Sequence, residues 1–211
     1  MFMSQFRLLL QITLWILWAA PSLAQENDPG TLLFFGDSLT ASYGLDPSQG
    51  YPAIIQQKLD AAELPWEVVV GAVSGDTSAG GLRRIDWMLQ RHIDVFVLAL
   101  GANDGLRGID PDSTLANLQA IIDRVKAKYP KAKIIIAGML MPSSLGFTFS
   151  EEFGAIFPNL AKENNATLIP FLLDGVGGNP ALNQPDGIHP TAEGQMILAE
   201  NVWKVIEGVL E

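Results

Sequence analysis

The sequence predicts an α/β fold, a parallel sheet covered by helices on both faces. Two observations carry this. Five short apolar runs alternate with amphipathic segments along the chain. The runs are continuously apolar, as strands buried on both faces are, rather than alternating as half-exposed strands do. At 211 residues the chain has the length of one domain with a short extension, enough to bury about 70% of its unfolded surface without a covalent staple.

Each element follows in order. Residues 1–24 read as a secretory signal peptide: Arg7, an apolar run from Leu8 to Ala20, then Pro21-Ser22-Leu23-Ala24 with small residues before a cut after Ala24. The run is too short to span a bilayer, which takes about 20 residues. Residues 25–211 form the domain. Thr31 to Phe35 is the first strand and ends at Gly36. Tyr51 to Ala62 is a helix by the spacing of Ile54, Ile55, Leu59 and Ala62. Trp66 to Val70 is a strand ending at Gly71, and Leu82 to Arg91 a helix. Asp94 to Leu100 is a strand ending at Gly101, followed by a helix over Ser113 to Tyr129 with Leu115, Leu118, Ile121, Ile122 and Val125 on one stripe. Lys133 to Ala137 is a strand ending at Gly138. Met139 to Ser150 reads as a loop, Phe149 to Asn164 as a helix, Ala166 to Pro170 as the last strand, and Thr191 to Leu210 as a terminal helix.

Composition excludes several chemistries. The chain is 48% apolar and 17% charged, which is ordinary for a globular protein. Its net charge is −10, and losing Arg7 with the leader would make it −11; nucleic acid and anionic membranes need a basic face instead. There is no cysteine, so disulfides and thiolate catalysis are impossible. Only His92 and His189 could supply an imidazole. His92 reads as a surface or helix-end histidine, lacking an acidic partner at turn spacing. A multi-histidine metal site is not expected.

Ligands in open parallel sheets lie beyond the carboxyl ends of the strands. There the sequence places Gly36-Asp37-Ser38-Leu39-Thr40, Ser74-Gly75-Asp76-Thr77, Gly101-Ala102-Asn103-Asp104 and Asp186-Gly187-Ile188-His189-Pro190. These residue types suffice for acyl transfer. A serine hydroxyl becomes a nucleophile when an imidazole takes its proton, and the imidazole needs a carboxylate to fix its tautomer. Asp186, three residues before His189, can reach Nδ1 through one tight turn and leave Nε2 for Ser38. Pro190 suits the first position of the next helix. The Ser38 and Gly75 N–H groups and the Asn103 amide are suitable donors to an oxyanion. Asp37 reads as a loop organiser, Asp104 as structural, and Gly80-Gly81 as a mobile turn.

These four blocks, in this order, resemble the SGNH/GDSL hydrolase superfamily, and within it the bacterial thioesterase I/lysophospholipase/arylesterase group. The resemblance runs from about Thr31 to the C-terminus. It implies a three-layer α/β/α sandwich with a flavodoxin-like five-stranded parallel sheet of order 2-1-3-4-5. It implies Ser38 as nucleophile, His189 as base, Asp186 as its orienting partner, and Ser38, Gly75 and Asn103 as the oxyanion hole. The expected function is that of a periplasmic or secreted serine esterase acting on acyl esters, thioesters or lysophospholipids through an acyl-enzyme, as a monomer, with no metal and no other cofactor. Nucleic acid and stable membrane insertion are not expected. The acyl chain is expected near Met139 to Ser150, beside Leu140, Met141, Leu145, Phe147 and Phe149. A carbohydrate acetylesterase and a catalytically dead lipid- or glycan-binding protein are the alternatives.

Overall fold

The computed structural model describes residues 28–210; the leader expected at 1–24 lies outside them. Five strands form one parallel sheet: β1 (Gly30–Gly36), β2 (Trp66–Ala72), β3 (Val95–Ala99), β4 (Lys133–Ala137) and β5 (Thr167–Ile169), in the order β2-β1-β3-β4-β5. The helices are α1 (Tyr51–Ala61), α2 (Ser78–Met88), α3 (Ala102–Leu106), α4 (Pro111–Lys128), α5 (Phe147–Asn164) and α6 (Ala192–Leu210), with 3-10 turns at Pro47–Gln49 and Ser143–Leu145.

Direction of strand addition sets the layers. The chain steps from β1 to β2, then crosses back over β1 to β3 and continues outward. Right-handed crossovers put α1 on one face and α2, α4 and α5 on the other. The packing agrees: α1 lies against α6, while α2 meets α4 and α4 meets α5. The fold is therefore the expected three-layer α/β/α sandwich. The central strands β1 and β3 are buried on both faces, from Leu32 to Phe35 and from Val95 to Leu98, which explains their unbroken apolar runs.

Local chemistry moved several boundaries. Helix α2 begins at Ser78, four residues before the expected Leu82, because the Thr77 hydroxyl accepts from the Gly80 N–H as N-cap. Gly80 and Gly81 are thus buried in its first turn, and the mobile turn expected there is corrected. Helix α4 starts at Pro111, capped by the Asp110 carboxylate, ahead of the apolar stripe that marked it in the sequence. The segment expected as a loop over Met139 to Ser150 holds a 3-10 turn, and α5 already begins at Phe147. Helix α3 is too short for periodicity to reveal; its N-cap, Gly101, has φ +118°, a backbone conformation that favours glycine. Pro190 precedes α6 by two residues and is not its first residue. The Thr191 hydroxyl caps that helix by accepting from the Gly194 N–H.

Candidate active site

The loop after β1 makes a tight turn: the Ala41 N–H donates to the Asp37 carbonyl at 2.9 Å, and the Tyr43 N–H to the Ser38 carbonyl at 3.1 Å. Gly36 permits it, since a Cβ there would lie 2.1 Å from Thr40 Oγ1. Thr40 Oγ1 is in turn 2.8 Å from the hydroxyl of fully buried Tyr51, which ties the turn to α1. Ser38 stands at the start of this turn, nearly buried.

The loop before α6 carries the other half. Its base is an antiparallel bridge between Asn183 and Pro190. The Gln184 N–H donates to the His189 carbonyl at 2.7 Å, and Gly187, at φ +71°, turns the chain between them. Asp186 Oδ1 accepts from the Ile188 and His189 N–H groups at 2.9 and 3.0 Å. Its Oδ2 is 2.7 Å from His189 Nδ1. The His189 N–H, then its ring, then the Ile188 N–H hold the Asp186 carboxyl down to about 2. As an ionised carboxylate it can only accept, so Nδ1 carries the proton and Nε2 is left as an acceptor. Nε2 lies 2.9 Å from Ser38 Oγ. The structure thus brings Ser38, His189 and Asp186 into one hydrogen-bonded line. This is an arrangement able to draw a proton from a hydroxyl.

Asn103 sits in α3, half-buried, and its amide donates to the Asp76 carbonyl at 3.0 Å and reaches Asp37 Oδ2 at 3.4 Å. Gly75 has φ +80°, left-handed backbone that favours glycine. A Cβ there would meet only Arg107 Nη2, at an ordinary 3.8 Å, so conformation sets the residue type more than crowding does. Arg107 Nη2 donates to the Gly75 carbonyl at 2.8 Å. Among the described residues, neither the Ser38 nor the Gly75 N–H finds a protein acceptor. Ser38, Asn103 and His189 all line a cavity of about 510 Å³ with Leu39, Leu106, Met139, Leu140, Met141, Pro142, Phe171, Leu173 and Ile188. Asp186 stands behind His189, and Gly75 is on the adjacent loop, outside this lining. Of the residues expected beside an acyl chain, Leu140 and Met141 line the cavity, whereas Leu145, Phe147 and Phe149 do not. Phe149 packs toward Phe153 instead.

Asp37 does organise the loop, accepting the Leu39 N–H at 3.1 Å. Burial pushes its carboxyl up to about 7, against the lowering effect of the Leu39 N–H and the Asn103 amide. Asp104 is structural: fully buried, it accepts from the N–H and hydroxyl of Ser78 and from Thr114 Oγ1, fastening α2 to α3. His92 is exposed, as expected, but has the acidic partner denied to it: its Nε2 is 2.9 Å from Asp94 Oδ1.

Two further groups carry no local signal in the sequence. Arg84 Nε donates to Asp76 at 2.6 Å, Nη1 to the Gly71 carbonyl at 2.8 Å and Nη2 to the Gly36 carbonyl at 2.9 Å. The ring of Tyr43 lies against that of His189, centroids 4.4 Å apart. An arginine in a helix and a tyrosine in a loop look like surface residues until the tertiary contacts are known.

Residues 34–197 match the GDSL-like Lipase/Acylhydrolase family. The chain is similar to esterase TesA of Pseudomonas aeruginosa, 39% identical over 189 residues that cover 89% of this chain and 93% of the relative. It is also similar to thioesterase 1/protease 1/lysophospholipase L1 of Escherichia coli, 38% identical over 178 residues, 84% of this chain and 83% of the relative. A crystal structure of TesA superposes with a TM-score of 0.81 at 39% identity, covering 85% of this chain and 99% of that one.

Proposed function

For this chain, which belongs to the GDSL-like lipase/acylhydrolase family and is a hydrolase of ester bonds, we propose a serine mechanism with an acyl-enzyme intermediate. One observation carries the reading: the Ser38 hydroxyl, 2.9 Å from His189 Nε2, opens into an apolar cavity. His189 takes the hydroxyl proton as Ser38 Oγ attacks the acyl carbonyl, and the resulting imidazolium is held by Asp186. The tetrahedral oxyanion is received by the Ser38 and Gly75 N–H groups and the Asn103 amide. One Asn103 N–H must turn from its long contact with Asp37 to serve there. His189 then protonates the leaving alcohol or thiol, and the ester on Ser38 remains. Water repeats the sequence and releases the acid.

Beyond Ser38, Asn103, Asn183 and His189 the cavity walls are apolar side chains and glycines, with no carboxylate, lysine or arginine, which favours a hydrocarbon acyl chain over a sugar. The substrate class is therefore acyl esters and thioesters, lysophospholipids among them. Residues 1–24 act in this reading as an export signal, and hydrolysis takes place in the periplasm or outside the cell. The test is a p-nitrophenyl ester series from acetyl to decanoyl, run beside acetylated xylan with a Ser38→Ala control. Rates that climb with acyl length are expected. Deacetylation of xylan with no activity on longer esters would contradict the substrate reading.

A further inference from the structure

The loops that carry Ser38 and His189 lie far apart in sequence, yet they are stitched together next to the imidazole. Gln184 Nε2 donates to the Tyr43 carbonyl at 2.7 Å and to the Pro190 carbonyl at 3.0 Å. Its own N–H donates to the His189 carbonyl at 2.7 Å. One side chain thus joins both sides of the histidine loop to the serine loop. The serine loop is shaped to receive it. Gly44 has φ +77°, and a Cβ there would lie 2.3 Å from Gln184 Oε1. On the other side of Tyr43, buried Ser42 has φ +57°, a conformation that a residue with a side chain rarely adopts. Two left-handed residues therefore flank Tyr43. Its ring, half-exposed, lies 4.4 Å from that of His189 at an interplanar angle of 38°.

We propose that Tyr43 and Gln184 form a clamp that positions the catalytic imidazole. Gln184 fixes the separation of the two loops. The π face of Tyr43 supports the ring and favours the imidazolium as it forms. The proposal rests on the reading of Ser38 and His189 as nucleophile and base. Tyr43 does not line the acyl cavity, so its loss bears on turnover and not on substrate binding.

The experiment compares kcat and KM on p-nitrophenyl butyrate for Tyr43→Ala, Tyr43→Phe, Gln184→Met and Ser38→Ala, each checked for a native near-ultraviolet spectrum at the assay temperature. Tyr43→Ala is expected to lower kcat about tenfold at unchanged KM, and Tyr43→Phe, which keeps the ring, to restore it. Gln184→Met keeps the bulk and loses both donors; kcat falls at least about tenfold as the loops shift. Wild-type kcat in both Tyr43→Ala and Gln184→Met, with Ser38→Ala inert, would overturn the clamp alone. A rise in KM at unchanged kcat would overturn it as well, making these residues substrate contacts. Turnover surviving in Ser38→Ala would remove the nucleophile reading and the clamp with it.

Discussion

Arg84 and Gly36, 48 positions apart, meet where β1 ends: Arg84 Nη2 donates to the Gly36 carbonyl at 2.9 Å, one peptide ahead of the turn that presents Ser38. The same guanidinium binds the Gly71 carbonyl and Asp76 and lies 4.0 Å from the centroid of the Phe35 ring. It closes the ends of two strands and the loop carrying Gly75 in one contact. Arg84→Leu would leave Asp76 without its cation and take one donor from each of the Gly71 and Gly36 carbonyls, the latter keeping only the Val73 N–H at 3.1 Å. We expect a loss of about 3 kcal/mol in unfolding free energy, read as a lower urea midpoint at unchanged slope. A variant as stable as the wild type would show that these bonds only decorate the sheet end.

Asn103 is expected to act on the transition state more than on substrate binding. Asn103→Ala should lower kcat by about 10²–10³-fold and leave KM within a few-fold. A larger change in KM than in kcat would assign the amide to ground-state binding.

Asp37 gives the stability a pH dependence. Burial raises its carboxyl from 3.8 to about 7. The folded state thus keeps its proton where the unfolded chain has lost it. Its contribution is fully present below about pH 4, falls as pH rises toward 7 and is flat above that. Asp37→Asn removes the buried charge and offers an oxygen to the Leu39 N–H. Its Tm advantage over the wild type is expected to grow between pH 4 and 7 and then level off. An advantage independent of pH would show that Asp37 is ionised throughout. Asp186, held down to about 2 by the N–H and ring of His189, remains a carboxylate over that whole range.

The grouping of Ser38, Asp186 and His189 was more legible in the sequence than the contacts that hold it in place. The sheet could be read because β1 and β3 are buried on both faces and so carry unbroken apolar runs. Ser38, Asp186 and His189 were legible because each stands just after a strand or before a helix, and one turn spaces Asp186 from His189. The start of α2 was missed because a threonine cap and two glycines outweigh their poor helix propensity only once Asp104 holds Ser78. Phe147 and Phe149 looked like an acyl wall because they are apolar, but neither lines the cavity: Phe147 is exposed and Phe149 packs against Phe153. The Arg84 and Tyr43 contacts reach from eight to more than a hundred positions along the chain, and no local pattern encodes that.

Acyl-chain length should be set along the wall that includes Gly178. This residue lines the cavity, has φ +75° and would have nothing within 4 Å of an added Cβ. Asparagine tolerates that backbone better than most residues. Gly178→Asn is expected to lower kcat/KM for decanoyl esters by about fourfold for each methylene it displaces, and to leave acetyl esters unchanged. Equal losses for both would indicate damage to the reacting groups instead.

The most direct measurement is the site and rate of modification by a fluorophosphonate, followed by mass spectrometry of the digested protein. A single adduct on Ser38 is predicted, absent in Ser38→Ala and formed at least about a hundredfold more slowly in His189→Ala. An adduct on another residue, or equal labelling in His189→Ala, would contradict the serine–imidazole pair on which the proposed chemistry stands.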